Sequence, residues 1–87
     1  MEFEWDPVKS AATEHRRGFD RAAEIFSGRM IQWTDDRKDY GEQRVRAVGE
    51  SAVELLHIVY TRRGEIIRII SARRANRGER KQWLSYA

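Results

Sequence analysis

Gln43-Arg44-Val45-Arg46-Ala47-Val48-Gly49, Val53-Glu54-Leu55-Leu56-His57-Ile58-Val59-Tyr60-Thr61 and Glu65-Ile66-Ile67-Arg68-Ile69-Ile70-Ser71-Ala72-Arg73 are three successive stretches rich in apolar and β-branched residues. Each reads as a strand. Only Glu50-Ser51 and Arg62-Arg63-Gly64, both turn-compatible, stand between them. Connections that short join neighbouring strands running in opposite directions, so an antiparallel meander is expected. Ile66-Ile67 and Ile69-Ile70 flank Arg68, a pattern expected of a strand covered on both faces and therefore central in its sheet. On a regular pleat Arg44 and Arg46 share one face, whereas Arg68 lies on one side of its strand and Ser71 and Arg73 on the other.

Working outward, Met30-Ile31-Gln32-Trp33-Thr34 reads as a further strand, followed by the polar loop Asp35–Gly41. Phe3-Glu4-Trp5 alternates and suits a short strand with both aromatics on one face. Asp6-Pro7 is a helix start, because Asp caps well and proline at the first helical position sacrifices no hydrogen bond. The first helix is expected over Val8–Arg17 with Gly18 as its C-cap, and a short second one over Arg21–Phe26, capped by Asp20. Asn76 followed by Glu79 suits a capping box that opens a last helix. The order is β-α-α-β-β-β-β-α. The expectation is one α+β domain spanning residues 1–87, an antiparallel meander sheet with helices packed on one side of it.

At 87 residues with 40% hydrophobic content, the chain can bury a small core, which argues against disorder. No apolar run approaches the roughly 20 residues of a membrane span. Acids near the N-terminus do not suit a secretory signal. The absence of cysteine excludes disulfides and thiolate metal sites. A cytoplasmic protein is expected. The net charge of +3 conceals an asymmetry. Residues 1–40 carry nine acids against seven bases, while residues 41–87 carry ten bases against five acids. Fourteen of the seventeen bases are Arg, whose planar fork fits phosphate. A basic phosphate-facing surface and a merely solvated Arg-rich face are both compatible with that composition.

The two histidines do not suggest metal or acid/base chemistry. Glu54 and His57 are three apart, so on a strand they point to opposite faces. No metal and no cofactor is implied, and His57 reads as a packing or sheet-surface residue rather than a catalyst. The arginines form the better set. Arg44 and Arg46, Arg68 and Arg73, and Arg74, Arg77, Arg80 and Lys81 around the last helix could surround a phosphate. Metal-free RNA cleavage asks for an aligned 2′-hydroxyl and stabilisation of the charge developing on phosphorus, and placed guanidiniums serve both. Trp83, Tyr86 and Tyr40 are candidate base-stacking platforms, although such a Trp is more often core.

The sequence resembles the BrnT-type toxins. The resemblance rests on Phe3-Glu4-Trp5-Asp6-Pro7-x-Lys9-x-Ala11-Ala12, Gly18, Ala23-x-x-Phe26, Glu42-x-Arg44, Val48-Gly49, Tyr60-Thr61-x-Arg63-Gly64, and Ile67-Arg68-Ile69-Ile70-Ser71-Ala72-Arg73-Arg74-Ala75 with Glu79. Two features depart from it. Arg16-Arg17-Gly18 stands where the family commonly has Lys-His-Gly, with a connection about two residues shorter. Trp83 stands where a Tyr is usual. The resemblance implies a RelE-like fold and a metal-independent ribonuclease that inhibits translation. It also implies a BrnA-like antitoxin partner, promoter DNA bound only through that antitoxin, and no membrane. The positions carried over are Glu42, Arg44, Arg63, Arg68, Ser71, Arg73 and Glu79. Arg44, Arg68 and Arg73 are expected to be catalytic, Arg63 and Ser71 to bind RNA together with Arg74, Arg77 and Trp83 from the reading of the last helix, and Glu42 and Glu79 to support. The alternatives are a non-catalytic RNA-binding or antitoxin-binding module, or an interaction protein whose arginines pair with an acidic partner.

Overall fold

The computed structural model describes residues 1–12, 18–52 and 54–86. The chain is α+β: β1 (Glu2–Trp5), α1 (Pro7–Ala12), α2 (Phe19–Ala23), a 3-10 turn (Glu24–Ser27), β2 (Met30–Asp35), β3 (Arg44–Glu50), β4 (Leu55–Arg63), β5 (Ile66–Arg74) and α3 (Arg77–Ser85). Asp6 Oδ1 accepts from the Val8 N–H at 2.9 Å and starts α1. The expected continuation of that helix, with His15, Arg16 and Arg17, lies outside the described residues, as does Val53. Gly18 is the N-cap of α2 instead of a C-cap, and Asp20 sits within the first turn of α2.

The sheet has the order β1-β5-β4-β3-β2. Strands β2 to β5 form the antiparallel meander that short connections impose. The whole sheet is mixed, however, because β1 pairs parallel with β5. A hairpin forces reversal, but no hairpin ties β1 to β5. Its chain continues through α1 and α2 to β2 at the opposite edge, and that crossover sets its direction. Helices also lie on both faces, not one. On one face Ala47, Leu56, Ile58, Tyr60, Ile67 and Ile69 bury against Phe19, Ala22 and Ile25, with Phe3, Trp5 and Phe26 alongside. On the other, Trp83 of α3 covers Ile31, Val48 and Ala75. Among the described residues, that second helix layer spans only one end of its face and leaves the rest open.

The paired isoleucines of β5 have a different cause from the one their pattern suggests. Tyr60 pairs with Ile69, but Val59 pairs with Ser71, so Ile70 is an extra residue opposite no partner. This bulge resets the alternation. Ile67 and Ile69 before it, and Ala72 after it, face the main core. Arg68, Ser71 and Arg73 consequently share the opposite, open face, which a regular pleat would have forbidden. The strand is still interior, lying between β1 and β4.

Gly49 marks the tightest packing of the sheet. A Cβ there would lie 2.9 Å from Ile25 Cβ and 3.4 Å from the Arg29 carbonyl oxygen. Both are held in place, so relief requires backbone movement. Gly49→Ala is expected to cost about 1–3 kcal/mol, the usual range for overpacking, read as a lower urea midpoint. An unchanged midpoint would show that β3 does not approach Ile25 this closely.

Candidate nucleic-acid interface

The register stacks the open face in rows. Asp35 pairs with Arg44, and Arg68 stands between Thr61 and Glu4. Trp33, Arg46, Val59 and Ser71 form the next row, and Ile31, Val48, His57 and Arg73 the one after. Same-face rows are two residues, about 6.6 Å, apart along a strand. Guanidiniums thus line the face from end to end over a floor of Val59, Thr61 and Ser71.

Each guanidinium is steered by a carboxylate. Arg44 Nε donates to Glu42 at 3.1 Å, and its guanidinium stacks 4.0 Å from the Tyr40 ring. Arg68 and Arg63 approach Glu4 at 3.3 and 3.6 Å. Arg44, Arg63 and Arg68 edge a recess of about 250 Å³ that Asp6 and Lys9 also line. Arg37 grips Asp35 through two bonds of 2.7 and 2.9 Å, and this holds the Asp35 carboxyl down to about 2. The solvent-facing pairs of Arg44, Arg63 and Arg68 contribute little stability, about 0–1 kcal/mol, so their effect is chiefly to aim the side chains, whereas the Asp35 carboxylate is buried.

The other end of the face is built differently. Arg73 makes a fork of two 2.8 Å bonds to Glu79, which is only 5% exposed. Glu79 also accepts from the Asn76 N–H at 2.9 Å, while Asn76 Oδ1 accepts from the Glu79 N–H at 2.8 Å. The expected capping box is therefore present, and its carboxylate does double duty. Burial acts to raise the Glu79 carboxyl, but the Arg73 and Asn76 hydrogen bonds outweigh it and hold it at about 2. Arg46 donates from Nε to His57 Nε2 at 3.2 Å and lies 3.7 Å from Glu79. His57 is buried, and desolvation, reinforced by Arg73 and Arg46, pushes it down to about 4. Near neutral pH it is an uncharged acceptor. Glu54 precedes β4 and approaches Arg74 at 4.0 Å, so it does not pair with His57 in a metal site.

Of the residues singled out in the sequence, Arg44, Arg63, Arg68, Ser71 and Arg73 come together on this face, with Glu42 and Glu79 holding two of them. Arg74 pairs with Leu56 and falls on the helix-covered side. Arg77 is exposed at the start of α3. Trp83 is 8% exposed, packs into the smaller core and is covered by the Arg29 guanidinium at 3.8 Å, so it offers no open ring face for a base. Half-buried Trp33 does lie on the arginine face, 5.6 Å from Arg46. Sequence reasoning set Arg46 beside Arg44 among the arginines able to surround a phosphate but gave it no role of its own, and it took His57 for a packing or sheet-surface residue. The signal for their contact was the β3–β4 register, which depends on a turn that sequence does not define to one residue.

Fold and face define a small α+β protein with an arginine surface suited to a phosphate-bearing polymer. The chain belongs to the BrnT family: residues 5–79 match the family described as ribonuclease toxin, BrnT, of type II toxin-antitoxin system. Membership brings RNA as the target and an antitoxin as the partner. No match was found among curated proteins. Among the described residues, no helix is long and apolar enough to cross a membrane.

The depressed His57 and Glu79 give a signed pH dependence. Below about 6.5 the unfolded chain takes a proton on His57 that the folded one refuses, and below about 4.5 the same holds for Glu79. Stability should therefore fall as pH drops from 6.5 towards 4, and more steeply below 4.5. Thermal melts across pH 3–8 check this, and His57→Leu should flatten the upper part of the fall. A melting temperature level from pH 7 to 5 would contradict the burial of a neutral His57.

Proposed function

We propose that the open arginine face binds single-stranded RNA and cleaves it without a metal ion, and that this activity inhibits translation in the bacterial cytoplasm. The supporting observation is the bulged register of β5, which puts Arg68, Ser71 and Arg73 on the same face as Arg44. In the proposed step a 2′-oxygen forms a bond to the adjacent phosphorus as the bond to the 5′-oxygen breaks. The 2′-hydroxyl proton goes to solvent, and the leaving 5′-oxygen takes one from solvent. The products are a 2′,3′-cyclic phosphate and a 5′-hydroxyl.

Arg44, Arg68 and Arg73 would contact the phosphate and stabilise its extra charge in the transition state. Arg63 and Arg77 would extend the positive track for flanking phosphates, Ser71 would donate at its centre, and Arg74, on the opposite side of β5, would take no part. Glu42 and Glu79 would hold their arginines in place. A BrnA-like antitoxin would neutralise the toxin by covering this face, and promoter DNA would be reached only through that antitoxin. One observation favours a second reading, a non-catalytic RNA-binding module. Among the described residues, the two titratable groups at the centre, His57 and Glu79, are buried and already engaged, which leaves no open general base among them beside Arg46 and Arg73.

Incubation of the purified protein with RNA in the presence of a chelator separates the readings. Cleavage leaving cyclic phosphate ends, lowered at least about 100-fold in the Arg44→Ala/Arg68→Ala/Arg73→Ala variant, is the expected result. Salt-sensitive binding without turnover would establish the second reading. A chelator-sensitive activity would contradict metal independence.

A further inference from the structure

We propose that Arg46 is a further phosphate-binding residue of this face, and that neutral His57 is its positioning residue, fixing the guanidinium through the Arg46 Nε–H to His57 Nε2 bond. The inference rests on the ribonuclease reading and adds two residues to it. Arg46 occupies the row between Arg68 and Arg73, directly opposite Val59 and in line with Ser71. Its side chain is 29% exposed, against 46% for Arg73 and 32% for Arg68, so its reach is the most restricted of the three. The restriction has named causes. His57 takes Nε, Glu79 draws one terminal nitrogen to 3.7 Å, and the Trp33 ring lies 5.6 Å from the guanidinium carbon. What remains, beyond Nε and the terminal nitrogen drawn to Glu79, is the other terminal nitrogen of the fork.

His57 carries a cost that packing alone does not justify. Accepting at Nε2 places its proton on Nδ1, and among the described residues buried Nδ1 has no hydrogen-bond partner. An unsatisfied buried N–H is costly, and a leucine of similar size would avoid that cost. An imidazole kept there despite that cost points to the bond it makes. A second acidic side chain beside Glu79 would also accept from Arg46, but it would offset more of the guanidinium charge, whereas a neutral imidazole orients it without adding a negative charge. The groups facing His57 are Arg46 on β3, Arg73 on β5, Glu79 on α3 and, at longer range, Arg37 in the β2–β3 loop.

The test compares His57→Leu with His57→Gln, which keeps an acceptor, and Arg46→Ala. Single-turnover RNA cleavage is measured beside thermal stability, and the Arg46 Nε–H resonance is followed by NMR during titration with a 2′-O-methyl RNA that cannot be cleaved. The expected result is a loss of about tenfold or more in kcat for His57→Leu, with stability kept or raised. KM should change less than kcat, His57→Gln should recover part of the rate, and Arg46→Ala should be at least as impaired as His57→Leu. In the wild type the Arg46 Nε–H signal should shift on RNA binding. Unchanged cleavage in His57→Leu, a rate loss that merely tracks loss of folded protein, or an Arg46 signal indifferent to RNA would each overturn the proposal. Wild-type protein that shifts the Arg46 signal but cleaves nothing would remove the ribonuclease reading and leave the positioning of Arg46 standing.

Discussion

One extra residue in β5 governs the molecule. Ile70 opposes no partner on β4, and every side chain after it points the other way from where an unbroken pleat would send it. Without that bulge, Ser71 and Arg73 would face the apolar cluster of Ile58 and Tyr60 beneath α2. With it, Ala72 meets the core and the polar residues reach the open face. The same irregularity thus serves the apolar core and the arginine surface. It is the condition under which this sequence can have both.

The second dependence runs through Glu79. Its carboxylate closes the capping box of α3, forks with Arg73 and stands beside Arg46 and His57. The docking of α3 through Trp83 and the aim of Arg73 are therefore set by overlapping contacts. A helix end leaves backbone N–H groups in need of acceptors, and a basic face needs carboxylates to order it. One buried glutamate meets both needs. The surface pairs of Glu4 and Glu42 have no such second role.

Much of this was legible before any coordinates. Turn residues such as Gly64, with φ of 63°, and the capping pair Asn76 and Glu79 are local chemistry, and local chemistry is written in short motifs. The four meander strands followed from short connections. Three things did not follow. The direction of β1 depends on a partner more than sixty residues away in sequence. The bulge at Ile70 looks in sequence like two adjacent isoleucines, a pattern that two-sided burial produces equally well. The Arg46–His57 contact requires the register of a hairpin whose turn could shift by one residue and reverse both faces. Trp83 shows the opposite outcome, an aromatic considered for RNA that the smaller core claims.

The shared face of Arg68, Ser71 and Arg73 is most directly tested by its periodicity. The chain has no cysteine, so single cysteines placed in turn at positions 68 to 74 can be followed by thiol modification with and without a non-cleavable RNA. RNA should protect positions 68, 71 and 73 and leave 72 and 74 unaffected. Protection at 68, 70 and 72 would contradict the bulged register and, with it, the arginine face.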